Sequence, residues 1–204
     1  MLNNYRQYFC IYLAWHPQSS DSQKLAEHIF KYIYGDPEYP LVNDIRIPVK
    51  LRSQSANSQT ESPKAIELNN SLNSAAFVFV DAHMVMSDSW QFYVEQLWQK
   101  AQSLAPHHRI YPVAMTPAAY NLSPRIAKTN FIKLGRGTEI EVLQKKLLRV
   151  VLHAASRQLK QIQSGTQTNL EQAPPAIKLF LSHAKQDGVD TAKNIRRWIE
   201  EVVK

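Results

Sequence analysis

The sequence predicts an α/β fold in which helices cover both faces of a parallel sheet. Two observations indicate this class: short continuous apolar runs alternate with amphipathic helical patterns, and the apolar runs are rich in β-branched and aromatic residues. Strands that alternate with helices form right-handed βαβ units, which build a parallel sheet. Only five glycines occur in 204 residues, and no glycine-rich phosphate-binding motif can be written from them.

The first βα unit opens the chain. Residues 8–14 form a continuous apolar run whose length suits a buried strand. The pattern breaks after His16, and apolar residues then recur at helical spacing as far as Gly35, a favourable residue after a helix. A second strand is expected over 45–51. It is expected at a sheet edge or with irregular geometry, because Pro48 lacks the backbone N–H that a central strand donates.

Three further strands and three further helices are expected after residue 60. The run over 75–80 is the most hydrophobic and is predicted to form the central strand. The other strands are expected over 110–115 and 130–134, and the helices over 63–72, 88–103 and 139–160. These elements predict a flavodoxin-like three-layer sandwich with a five-stranded parallel sheet. Ligands of such sheets bind at the carboxyl ends of the strands.

Positive charge is concentrated in one part of the chain. The formal net charge is +7, and residues 105–160 hold ten basic and two acidic residues. A solvated helix face explains this excess. An alternative is a nucleic-acid or nucleotide sensor that uses Lys145, Lys146 and Arg149. Nucleic acid is not the expected partner, because no aromatic residues alternate with these basic ones as a stacking platform requires.

Cysteine content and hydropathy exclude several other classes of protein. The single cysteine, Cys10, excludes a disulfide framework and a cysteine-based zinc site, and no metal site is expected. The apolar run over 8–15 is too short to cross a bilayer and lacks the layout of a signal peptide. A cytoplasmic protein with no membrane partner is therefore expected.

A polar segment divides the chain. Residues 161–175 are rich in Gln, Thr, Ser and Pro, which is typical of a linker. We expect a first domain over 1–155, a linker over 156–175 and the start of a second domain over 176–204. The last part repeats the beginning of the chain, because it again reads as a strand that ends in histidine, followed by a loop and an amphipathic helix.

The repeated unit carries a family resemblance. Residues 178–188, in which the strand ends in Ser182 and His183 and Asp187 follows, resemble the opening strand and loop of a Toll/interleukin-1 receptor (TIR) domain. The first 155 residues resemble a complete but divergent TIR-like domain of bacterial type. The matching segments are 11–16, 47–49 and 77–81, the last followed by a tryptophan-containing helix. The resemblance implies a tandem TIR protein whose second TIR domain continues beyond residue 204.

The resemblance also implies a chemistry. Many bacterial TIR domains cleave NAD+ at the nicotinamide–ribose bond, often as antiphage effectors, and use a glutamate to stabilise an oxocarbenium-like transition state. In the family this glutamate lies four residues beyond a tryptophan. Here Trp90 is followed at that spacing by Val94, and Glu95 comes one residue later, which turns its side chain by about 100°. Asp81 stands where the family usually has serine.

These departures lead to one leading expectation and two alternatives. The candidate ligand-binding residues are His16, Ser53, Asp81, Ser87 and Trp90, with Glu95 as the candidate catalytic carboxylate. We expect a homo-oligomeric scaffold domain in antiphage signalling that binds TIR domains and positions a catalytic TIR domain. No cofactor is expected. In the first alternative this domain itself cleaves NAD+ as substrate with Glu95, and in the second it is the basic-face sensor.

Overall fold

The computed structural model describes residues 6–34, 47–54, 63–134 and 139–165. Its strands are β1 (Gln7–Trp15), β2 (Val49–Arg52), β3 (Ser71–Val80), β4 (His108–Ala114) and β5 (Ile132–Lys133). They form one sheet in the order β2-β1-β3-β4-β5, and every neighbouring pair is parallel. This sheet confirms the predicted flavodoxin-like α/β fold, with β3 at its centre and β2 at an edge.

Helices cover both faces of the sheet. They are α1 (Ser20–Tyr34), α2 (Ala82–Met86), α3 (Asp88–Ser103) and α4 (Ile140–Gly165), and short 3-10 turns span Leu68–Asn70, Pro117–Asn121 and Ile126–Lys128. Helices α1 and α4 pack on one face, while α2 and α3 pack on the other. None of the helices in the described ranges is long and apolar enough to cross a membrane.

The strands are apolar on both faces because both faces are covered. Along β1, Ile11 and Leu13 point towards α1 and α4, whereas Cys10 and Tyr12 point towards α3. All four side chains are buried. Full burial of one large apolar side chain stabilises the fold by about 1.5–3 kcal/mol. The continuous apolar run, rather than an alternating one, is therefore the expected signature of this sheet.

The segment before β3 differs from the expectation of a helix over 63–72. It contains only the 3-10 turn Leu68–Asn70, and β3 begins at Ser71. The reason is strand pairing: Gln7 of β1 lies opposite Ser71, and Phe9 lies opposite Asn73. Backbone pairing with β1 holds this polar stretch in the strand conformation. Asparagine is also a weak helix former.

Helix α4 extends into the segment that was expected to be a linker. Residues 156–165 are helical, so the helix expected over 139–160 continues five residues further and takes up the first part of the linker expected over 156–175. Two positions in this stretch pack inward, because Gln158 and Ile162 are both buried. The described residues lie within a unit that spans Met1–Thr166. The expected second domain, with Ser182, His183 and Asp187, lies outside the described residues.

Gln158 ties the last turns of α4 to the sheet. Its side-chain Nε2 donates to the carbonyl oxygens of Ser74 (2.9 Å) and His107 (2.9 Å), and Pro106 O lies at 3.4 Å. Its Oε1 accepts from the hydroxyl of Tyr111 at 3.3 Å. A fully buried amide is tolerated here because its polar atoms are paired with backbone carbonyl groups and with a tyrosine hydroxyl.

We predict that Gln158→Leu lowers the free energy of unfolding by about 1–2 kcal/mol, because it removes the side-chain hydrogen bonds to the carbonyl oxygens of Ser74 and His107. Gln161→Leu, at an exposed position of the same helix, is the matched control and should change it by less than about 0.5 kcal/mol. Urea denaturation followed by circular dichroism measures both. Equal effects of the two substitutions would contradict this role of Gln158.

Candidate functional site

The carboxyl ends of the parallel strands bring the predicted ligand-binding residues to one edge of the sheet. His16 follows β1, Ser53 follows β2 and Asp81 follows β3, and all three are buried. This arrangement follows from the parallel topology, since strands that run in the same direction end at the same edge. The edge therefore has polar groups on three neighbouring strands.

The imidazole of His16 is held by its own loop and by two other rings. Its Nδ1 accepts from the backbone N–H of Gln18 at 3.3 Å, which places the proton of the neutral ring on Nε2. The ring stacks on His83 with centroids 5.7 Å apart and planes 18° from parallel. It lies tilted against Trp90 at 5.6 Å. The structure thus brings together His16, His83 and Trp90, which we call the ring cluster.

Two further side chains extend the ring cluster towards β2. Tyr93 meets Trp90 edge to face at 5.6 Å. Burial raises the pKa of the Tyr93 hydroxyl, and the positive charge of Arg52 opposes that rise. The Arg52 guanidinium also lies 5.7 Å from the centre of the Tyr12 ring. Arg52 therefore places a positive charge among aromatic rings at the end of β2.

Several buried polar atoms at this edge have no hydrogen-bond partner within the described residues. They are Arg52 Nε, Trp90 Nε1, Tyr93 Oη and Thr116 Oγ1. All four groups can donate a hydrogen bond. Buried polar groups are usually paired, so a set of unpaired donors near strand ends is characteristic of a place where a ligand with acceptor oxygens binds.

Asp81 and Ser87 have local structural roles. Asp81 Oδ1 accepts from the backbone N–H of Met84 at 2.9 Å and caps the N-terminus of α2. Ser87 Oγ accepts from the backbone N–H of Trp90 at 3.4 Å and caps α3. Caps of this kind satisfy backbone groups that the helix leaves unpaired. Together they fix the short turn that carries His83 and aims Trp90 at His16.

Glu95 contacts a different part of the molecule. Its Oε2 accepts from the Ser123 hydroxyl at 2.6 Å, and its Oε1 lies 3.3 Å from Arg125 Nη1. Ser123 Oγ in turn accepts from the backbone N–H of Arg125 at 3.2 Å. Within the described part of the chain, the contacts that hold Glu95 are with this turn after Pro117–Asn121 and not with the ring cluster. The carboxylate organises a loop.

The remaining candidates give simpler results. Lys145, Lys146 and Arg149 are exposed on α4, on the helical layer opposite α3. Across the four described ranges, no three His, Cys, Asp or Glu side chains approach closely enough to hold a metal ion. Cys10 is buried, and burial raises the pKa of its thiol, which suppresses the reactive thiolate.

Sequence reasoning missed some of the residues that form this site. It selected Ser53 but not Arg52, although Arg52 is the last residue of β2 and Ser53 is the next residue in the chain. It also left out His83 and Tyr93 as ring partners. Helical spacing offered a signal for Tyr93, which is three residues from Trp90 and so on a neighbouring part of the helix surface. No sequence pattern predicts the stacking of His83, because it depends on the turn after Asp81.

Comparison with known proteins adds no family to this description. A scan of the chain against known protein families and a search of curated protein sequences both return no match. The fold and the site define an α/β flavodoxin-like protein with an aromatic and cationic site at the carboxyl edge of its sheet.

We predict that Ser123→Ala lowers the free energy of unfolding by about 1–2 kcal/mol, because it removes a short hydrogen bond to a charged group. Ser89→Ala, at an exposed position of α3, is the control and should have a smaller effect. In a double-mutant cycle, Glu95→Ala and Ser123→Ala should couple by about 1 kcal/mol. Strict additivity would show that the contact does not stabilise the protein.

Proposed function

We propose that the described domain is a TIR-like assembly domain that associates with copies of itself or with partner TIR domains. The observation that carries this proposal is the placement of its exposed apolar side chains. Met86 is 83% exposed and Phe92 is 66% exposed, and they are the two most exposed large apolar side chains in the described part of the chain. Both lie within seven residues of sequence at α2 and the start of α3.

This placement favours assembly for a physical reason. Apolar side chains that water surrounds gain free energy when a partner covers them, and clustered exposed ones often mark interaction sites. Met86 is the last residue of α2, the short helix that Asp81 caps, and Phe92 lies on α3, which Ser87 caps. Both are therefore presented from an ordered backbone, which reduces the entropy lost on association.

The contacts of the two candidate carboxylates also support a scaffold over an enzyme. Asp81 is engaged as a helix cap, and Glu95 is engaged by Ser123 and Arg125. A carboxylate that stabilises a developing positive charge must face the substrate. Following the resemblance to bacterial TIR domains, we propose that the assembly acts in antiphage signalling and positions a catalytic TIR domain.

We expect the chain to form a concentration-dependent dimer or larger oligomer, measured by size-exclusion chromatography with light scattering. The double substitution Met86→Gln with Phe92→Ser should weaken association by about tenfold or more, because it removes the apolar area that the partner covers. The matched control is Tyr34→Ser with Val142→Ser, two exposed apolar positions on the opposite helical layer. A monomer at all concentrations would contradict the proposal.

A second candidate function is the binding of NAD+ or a related nucleotide at the ring cluster. The observation that favours it is the set of donors on Arg52, Trp90 and Tyr93 that have no partner among the described residues and lie beside packed rings. Such a site offers the exposed ring of His83 to a base, and hydrogen-bond donors to phosphate or ribose oxygens. Binding would leave the assembly proposal intact, since it concerns other residues.

Incubation of the chain with NAD+ separates binding from cleavage. We expect saturable binding by calorimetry that Arg52→Gln weakens by about tenfold, since a charged donor is lost. We expect no release of nicotinamide by chromatography. Nicotinamide release that Glu95→Gln abolishes, and that Glu141→Gln on the exposed start of α4 leaves unchanged, would replace the scaffold proposal with that of a hydrolase.

A further inference from the structure

A groove lies at the amino edge of the sheet, opposite the edge that carries the ring cluster. Its volume is about 510 Å³, within the range of about 300–1,000 Å³ that is usual for small-molecule sites. Its apolar lining comes from Tyr8 of β1, Leu72 of β3, Leu104 after α3 and Ile162 of α4. Four separate elements thus converge on one concave surface, and none of these residues belongs to the assembly surface proposed above.

The apolar part of the groove is open to water. Tyr8 is 54% exposed and Leu72 is 48% exposed, and they come from paired neighbouring strands. Both point to the face of the sheet that α3 covers, because side chains along a strand alternate and Cys10 and Ala76 point that way. Helix α3 ends at Ser103 and so leaves these two side chains with apolar surface that a ligand can cover.

The polar part of the groove is ordered by a buried amide. Asn73 Nδ2 donates to the carbonyl oxygen of Tyr8 at 2.9 Å, so its Oδ1 is the atom that faces His107. His107 Nδ1 lies 2.9 Å from that oxygen and must carry a proton, since an amide oxygen only accepts. Among the residues that the structure describes, no hydrogen bond to the second ring nitrogen of His107, Nε2, is present, so this atom can bind a ligand. Asn73 is buried and fixes the orientation of an exposed imidazole.

One basic side chain, Lys100, lies close enough to the polar part of the groove to act on its histidines. Burial lowers the pKa of the neighbouring His108, and the positive charges of His107 and Lys100 lower it further. His108 also shares a hydrogen bond of 2.8 Å with Ser74, which orders its ring. Lys100 is paired with Glu67 only at 3.6 Å and at the surface, where such a pair is weak. The groove therefore combines an apolar surface with the oriented imidazole of His107 and, close to its polar part, the positive charge of Lys100.

We propose that this groove binds a small amphipathic carboxylate. Its hydrocarbon body covers Tyr8 and Leu72, and its carboxylate accepts a hydrogen bond from His107 Nε2. Because Nδ1 already carries a proton, Nε2 donates only when the ring holds a second proton and is positively charged. The negative charge of the ligand stabilises that form, so the hydrogen bond is charge-assisted. The proposal is independent of assembly and of NAD+ binding, since it uses the opposite edge of the sheet.

Three ligands of matched structure test the proposal on the full chain by nuclear magnetic resonance. Octanoate has both the hydrocarbon body and the charge, octanamide has the same body without the charge, and acetate has the charge alone. We expect octanoate to shift the methyl resonances of Leu72, Leu104 and Ile162 in a saturable way. Octanamide should bind about tenfold more weakly, because the charge-assisted hydrogen bond is lost. Acetate should give no saturable shift.

Substitutions then locate the carboxylate. His107→Asn keeps a donor at the position of Nδ1 for Asn73 but has no Nε2, so it should weaken octanoate binding by about tenfold and octanamide binding by less, since only the carboxylate forms a charge-assisted bond there. His153→Asn, at an exposed position of α4, is the matched control and should bind octanoate normally. Equal affinities for octanoate and octanamide would overturn the proposal. Shifts confined to the carboxyl edge, or no saturation at millimolar ligand, would overturn it as well.

Discussion

The pairing of β3 with β1 on one side and β4 on the other is the constraint on which the rest of the structure depends. Both faces of β3 are covered, so its side chains from Ala75 to Val80 are all buried. A strand in this position pairs its backbone with a neighbouring strand on each side and contributes side chains to both halves of the core. Every other described element either pairs with this three-strand unit or packs on it.

A buried polar side chain lies at each end of β3, where the apolar part of the strand stops. At the carboxyl end, Asp81 caps α2 and thereby fixes the turn that carries His83. At the amino end, Asn73 bridges Tyr8 and His107. In both places a buried side chain with fixed hydrogen bonds orients an exposed imidazole. The apolar middle of the strand separates these two polar sites, which therefore lie at opposite edges of the sheet.

The sequence predicts the elements that local patterns determine and misses those that pairing determines. Helix α3 has the predicted bounds of 88–103, because Ser87 is a capping residue and the apolar spacing behind it is regular. The first residues of β3 were expected to be helical, because their role depends on partners in β1 that lie more than sixty residues away. The ring cluster was only partly predicted, since strand ends can be inferred from sequence but the stacking of one imidazole on another cannot.

The hydrogen bonds of Gln158 have a consequence for where this domain ends. The carbonyl groups that the amide satisfies belong to β3 and to the loop before β4, so the final turns of α4 complete the interior of the domain. A protease can cut the chain between residues 156 and 165 only after those turns unwind, and unwinding them exposes Gln158 and Ile162 together. Limited proteolysis of the native protein is thus expected to spare this stretch, and a fragment that ends at residue 155 lacks part of its own core.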